Sequence, residues 1–182
     1  MEEVKQFLRS GSLSGRCLSP EQLSALAFVL MMAEEPLDVF DMKTYTTSMD
    51  GCLRLLPLIK YCRQALLDHC NLTGECCKAL ISAVQSNPSH LRVLDLRSNY
   101  SAGKEVKLLC SVLRNPACKM ETLRLSGCQI TECGCEALAS ALQSRPSSLT
   151  ELDLSHNCLG DTGVKKLFAL LETPSCKLEK LK

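Results

Sequence analysis

From Cys62 onward the chain repeats itself every 29 residues, with no insertion or deletion to break the register. Rows begin at Cys62, Leu91, Met120, Leu149 and Leu178, and the first four open CRQALLDHC, LRVLDLRSN, METLRLSGC and LTELDLSHN. Three residues after each start stand Ala65, Leu94, Leu123, Leu152 and Leu181; five after it stand Leu67, Leu96, Leu125 and Leu154. A fixed period of this length describes stacked units, none of which buries its apolar face alone.

Each row changes its own period halfway. The first part alternates apolar and polar residues, as a short half-buried strand does. The second carries apolar residues at offsets 15, 18, 19 and 22 from the row start, the stripe of an amphipathic helix. In the last full row these are Val164, Leu167, Phe168 and Leu171. Thr73, Thr131 and Asp161 stand where helix N-caps belong, and Pro88, Pro116, Pro146 and Pro174 follow the helices. One strand and one helix per 29 residues predict an α/β fold, a leucine-rich repeat solenoid (horseshoe). Its parallel sheet lines the concave side and its helices the convex side.

The rows alternate in type. Those at Cys62 and Met120 carry Cys at offsets 8 and 15 (Cys70, Cys77; Cys128, Cys135). Those at Leu91 and Leu149 carry Asn at offset 8 (Asn99, Asn157) and Val at offset 15. Upstream, Leu37, Phe40 and Met42 fit the strand columns of a degenerate row, and Cys52, Leu55, Leu56 and Ile59 its helix columns. Ser19-Pro20-Glu21-Gln22 predicts an N-cap, a proline at the first helical position and a capping box, opening a helix from about Glu21 to Met32. Residues 1–61 are expected to form an N-terminal cap with a degenerate first repeat; residues 62–182 form four repeats and the start of a fifth. The sequence ends within that fifth strand, which points to a fragment or a further domain downstream.

Composition narrows the function. A net charge of +1 offers no field to steer the chain onto nucleic acid or a membrane, and 4% aromatics without Trp give no stacking platform. The apolar run Leu23–Met32 is too short to span a bilayer. Thirteen cysteines, an odd number, with an acidic start (Glu2, Glu3), predict reduced thiols in the cytoplasm. Nine cysteines occupy repeat columns as small apolar residues, whereas Cys17, Cys76, Cys133 and Cys158 are off-column and expected to be more exposed. No paired C-x-x-C knuckle suggests zinc. His69 and His156, three rows apart, cannot share a dyad. The Gly11–Gly15 spacing, followed by Arg16, makes no phosphate cradle. The chain is therefore expected to be neither an enzyme nor a cofactor binder. What remains is the outward face of the sheet, at offsets 2, 4 and 6. Asp95, Arg97, Arg124, Glu151 and Asp153 in these columns, with His156 one position beyond them, are its candidate partner-binding residues. Asp95, Arg124 and Asp153 also fit an exposed cross-strand charge ladder, and both readings stand together.

The alternation of Asn and Cys at offset 8 resembles the ribonuclease-inhibitor-like class of leucine-rich repeats. There that residue bonds the backbone as the strand turns away, which would point Asn99 inward and unsuit its Asn99-Tyr100-Ser101 sequon to a glycan. The rows LRVLDLRSN and METLRLSGCQITECGCEALASALQSRPSSLTELDLSHNCLGDTGVKKL, with the closing NPACK and TPSCK, resemble the repeats of NOD-like receptors. The leader CLSPEQLSALAFVLMMAEEPLDVFDMKTY is similar to the approach to that region in the bony-fish branch. The row at Leu91 departs from the pattern, with Ser101 where its neighbours have Leu72, Ile130 and Leu159. The resemblance implies a regulatory domain of a cytosolic innate-immune, inflammasome-type receptor, which contacts a protein partner or the parent's nucleotide-binding module. The alternative is a free-standing inhibitor scaffold. Ligand and oligomeric state are not legible.

Overall fold

The computed structural model describes residues 19–32, 37–45, 49–86, 88–100, 103–144 and 147–182. The expectations for Cys17, Ser101, Pro146 and the Gly11–Gly15 segment fall outside them. Among the described residues six strands form one parallel sheet in chain order: β1 (Leu37–Asp41), β2 (Cys62–Leu66), β3 (Val93–Asp95), β4 (Thr122–Arg124), β5 (Glu151–Asp153) and β6 (Lys180–Leu181). Among the described residues six α-helices accompany them: α1 (Pro20–Met32), α2 (Met49–Leu55), α3 (Gly74–Ser86), α4 (Val106–Leu113), α5 (Glu132–Gln143) and α6 (Gly160–Leu171). The fold is α/β, and its rows stack as a leucine-rich repeat solenoid.

The 29-residue period is the sheet register. Ala65 pairs with Leu94, Leu94 with Leu123, Leu123 with Leu152 and Leu152 with Leu181. These residues, with Leu67, Leu96, Leu125 and Leu154, lie in a core continuous with the inner stripes of the helices. Row stacking extends past the strands: Ser98 N donates to Ser126 O at 2.9 Å, and Gly127 N to Ser155 O at 3.0 Å. At the turn the backbone takes left-handed conformations at His69, Ser98, Gly127 and His156, the offset-7 column of all four rows.

The leader joins the same sheet, with β1 in register with β2 from Leu37 opposite Cys62 to Asp41 opposite Leu66. Phe40, Met42, Cys52, Leu55, Leu56 and Ile59 are all buried, as their columns required. The helix expected across Cys52–Ile59 instead ends at Leu55 and tightens into a 3-10 segment, Leu56–Tyr61, because Pro57 cannot donate within a regular α-helix. The capping box of α1 forms as expected: Gln22 N donates to Ser19 Oγ at 3.3 Å, and Ser19 N to Gln22 Oε1 at 2.9 Å.

Two cap assignments need correction. Thr73 caps α3, its Oγ1 accepting from Cys76 N at 3.3 Å. Thr131 is the N-cap of α5, but its side chain accepts no capping bond. Asp161 is not a cap: α6 starts earlier, at Gly160, and Glu132 of the preceding row supplies the acceptor, with Thr162 N donating to its Oε1 at 2.9 Å.

Candidate functional site

The open face of the sheet carries the outward columns, and on it the candidates form a continuous ladder of charge. Asp95, at the end of β3, is only 1% exposed. Arg97 grips it with Nε and Nη2, at 2.9 and 2.7 Å, and Arg124 Nη1 approaches from β4 at 3.6 Å. Arg124 Nε continues to Glu151 at 3.4 Å, and Lys180 reaches the same carboxylate from β6 at 3.5 Å. Asp153 pairs with Lys182 at 3.6 Å. Two rows back, Lys43 meets Asp68 at 2.6 Å.

Five of the six candidates, Asp95, Arg97, Arg124, Glu151 and Asp153, thus come together; His156 stands exposed at the turn beyond β5. Asp95 and Asp153 are buried, against the expectation of an exposed ladder. The Arg97 fork and the Arg124 side chain lie against Asp95, while Lys182 and the Ser155 hydroxyl engage Asp153. The pairing also differs in detail: Arg124 stands between Asp95 and Asp153 in the register, but its guanidinium reaches Asp95 and, diagonally, Glu151 rather than Asp153. Lys180 and Lys182 were missing from the candidates, although they occupy offsets 2 and 4 of the fifth row and could have been read there.

The electrostatics follow the geometry. Burial works to raise the carboxyls of Asp68, Glu151 and Asp153, but their partners outweigh it and hold all three below the ordinary carboxylate range. For Asp68 these are hydrogen bonds from Lys43 and His69 and the nearby charge of Arg97; for Glu151, Arg124 and Lys180; for Asp153, Ser155 and Lys182. These carboxylates are fixed as anions by neighbouring cations. That arrangement suits recognition by charge and shape better than proton transfer.

At the turn beyond the sheet, Asn99 is fully buried and ties two rows together. Its Oδ1 accepts from Leu72 N at 3.0 Å, and its Nδ2 donates to Leu67 O at 2.7 Å and Leu96 O at 2.9 Å. Asn157 repeats the motif, accepting from Cys128 N and Ile130 N and donating to Leu125 O. In the alternate row Cys128 Sγ donates to Leu96 O at 3.0 Å. The twelve cysteines of the described residues are free thiols. Burial pushes Cys62, Cys70 and Cys77 up to about 12, so they are held as neutral thiols. Cys133 and Cys158 are exposed as expected, but Cys76 is buried: it accepts a bond from Thr73 in the first turn of α3 and turns into the core.

Comparison with known proteins accounts for this pattern. The family model described as Leucine Rich repeat matches residues 117–139 and 145–168. The chain is built of leucine-rich repeats. Among proteins with such repeats, mouse ribonuclease inhibitor is 46% identical over 127 residues, 70% of this chain and 27% of that protein. Human NACHT, LRR and PYD domains-containing protein 12 is 44% identical over 119 residues, 65% of this chain and 11% of the relative. Mouse NACHT, LRR and PYD domains-containing protein 14 is 35% identical over 158 residues, 85% of this chain and 16% of the relative. The chain spans about a quarter or less of the length of these curated relatives. Among the described residues, no helix is long and apolar enough to cross a membrane.

Proposed function

We propose that the chain is a protein-interaction domain that regulates a cytosolic innate-immune receptor of the NACHT type. It contacts the receptor's nucleotide-binding module or a protein ligand through the open face of the sheet. The observation that carries this reading is the ladder from Lys43 to Lys182: fixed, mixed charge spread over six adjacent strands, with no enclosed pocket required. A surface of that kind selects a partner by electrostatic register. The 158-residue match supports the receptor reading over its alternative, because it must reach far into the leader before Cys62, whereas the 127-residue match to ribonuclease inhibitor need take in only a few residues of it. Residues 1–61 then act as the N-terminal cap of the stack.

The second reading, a free-standing scaffold that inhibits a partner enzyme, is favoured by the 46% identity to ribonuclease inhibitor. Two assays on the chain separate them. Calorimetric titration against the NACHT module of the human relative should give saturable binding. Excess chain added to a pancreatic-type ribonuclease should leave its turnover unchanged. Tight ribonuclease inhibition without module binding would reverse the order of the two readings.

A further inference from the structure

The charge ladder on the open face is sorted by height above the sheet. The side chains of Asp68, Asp95 and Glu151 are 20%, 1% and 16% exposed, whereas those of their partners Lys43, Arg97 and Arg124 are 43%, 42% and 32% exposed. Reach explains the order: a short carboxylate stays close to its strand, and a long stem carries a cationic head over it. Arg97 and Arg124 belong to the rows of β3 and β4, which have strands on both sides, so their exposure does not come from a sheet edge. Both guanidiniums converge on Asp95, and neither is fully engaged. Arg97 directs Nε and Nη2 to Asp95, while Arg124 directs Nη1 to Asp95 and Nε to Glu151. Nη1 of Arg97 and Nη2 of Arg124 have no acceptor among the described residues. Beside this pair the face is aliphatic. Leu66 stands opposite Asp95, Val93 precedes Asp95 by two residues, and Val39 on β1 is 45% exposed.

We propose, on the reading of the open sheet face as the recognition surface, that Arg97 and Arg124 form a clamp for a carboxylate of the protein partner. The partner enters with an acidic segment: one Glu or Asp side chain lies between the two guanidiniums, and a neighbouring apolar side chain rests on Val39, Leu66 and Val93. Charge complementarity selects this occupant. Although the formal charges of the ladder nearly cancel, the groups a partner meets first are cationic N–H donors, and the anions lie beneath them. A guanidinium fork matches a carboxylate in geometry as well as in charge. A basic segment would meet like charge at contact. Because each cation has its counter-layer below it, the attraction is short-ranged, so it sets register on contact rather than steering the approach.

The test titrates the isotope-labelled full chain with a soluble synthetic peptide of Glu and Leu in equal number, and with a second peptide in which every Glu is Lys. Nuclear magnetic resonance follows the side-chain N–H signals of Arg97 and Arg124. The glutamate peptide should shift both signals saturably and bind at least about tenfold more tightly than the lysine peptide, with an advantage that shrinks as salt is added. Arg97→Lys with Arg124→Lys keeps cations over Asp95, and with them the fold, but removes the forks; it should weaken the glutamate peptide about fivefold or more. Val39→Ser should weaken it too. Absence of saturable binding, equal binding of the two peptides, or binding that leaves both arginine signals unmoved would overturn the proposal. Inorganic phosphate acting on those signals at lower concentration than the glutamate peptide would also overturn it, in favour of a phosphate-bearing partner. The separate titration against a NACHT module keeps the two claims apart. A module that binds while the peptide fails sinks the clamp alone, and the converse sinks the receptor reading alone.

Discussion

Asn99 has all its side-chain polar capacity directed at the backbone of two rows. Asn99→Ala should therefore cost about 1–3 kcal/mol, because Leu72 N and the carbonyls of Leu67 and Leu96 lose partners in a dry turn. Urea denaturation checks this; an unchanged midpoint would mean that water replaces the side chain. Asp95 behaves similarly, although the alternation of the strand placed it on an exposed charge ladder. Asp95→Ala should cost about 1–3 kcal/mol by leaving Arg97 and Arg124 facing each other without their shared anion. The inward direction of Asn99 was legible because its offset implied a backbone role. The burial of Asp95 was not: alternation says which face a residue takes, but not that long neighbouring side chains will cover it. Thiol chemistry gives a separate check at this scale. In the native protein Cys133 and Cys158 should react with a thiol reagent, while Cys62 and Cys77 should wait for unfolding.

The elements were legible where local pattern decides them. Every strand column and helix stripe from Cys62 to Leu154 is buried as its period requires. Failures arose where an element depends on a distant residue. The start of α6 is held by Glu132, thirty residues earlier, which no local capping pattern can reveal. Arg124 keeps its direct neighbour Asp95 on one side but on the other reaches diagonally to Glu151 rather than to Asp153 opposite, which the column alignment alone does not resolve. The offset-7 turn gives the element-scale prediction. His69, Ser98 and His156 share the left-handed backbone with Gly127, so three rows bear a strain that Gly127 relieves in the fourth. Gly127→Ala should cost about 1–2 kcal/mol from this strain alone, since the added Cβ would meet nothing closer than 3.7 Å. A thermal melt with no loss would show the turn relaxing out of that conformation.

For the whole molecule, stacked rows sharing one core and one charge ladder predict how stability responds to pH. Asp68, Glu151 and Asp153 have carboxyls lowered by folding, so the unfolded chain binds more protons than the folded one in acid. Their contribution is complete above about pH 4 to 4.5, the unfolded carboxylate range, and is lost as pH falls through their depressed values. The buried thiols act oppositely. Cys52, Cys62, Cys70 and Cys77 are raised to about 11 or 12, so their contribution is complete below the ordinary thiol range and falls as pH rises beyond it. Denaturation midpoints should form a plateau through neutrality with a decline on each side.

The account turns on the open sheet face as the recognition surface. Val93→Arg with Thr122→Arg adds bulk there without removing any ladder pair, and Lys107→Glu with Lys165→Glu reverses charge on the helical side. Calorimetric binding of both double variants to a NACHT module, alongside the parent chain and with folding verified by circular dichroism, is the most direct test. The sheet-face variant should lose at least about tenfold in affinity and the helix-face variant little. Undiminished binding by the first, with loss by the second, would contradict the account and move the interface to the helices.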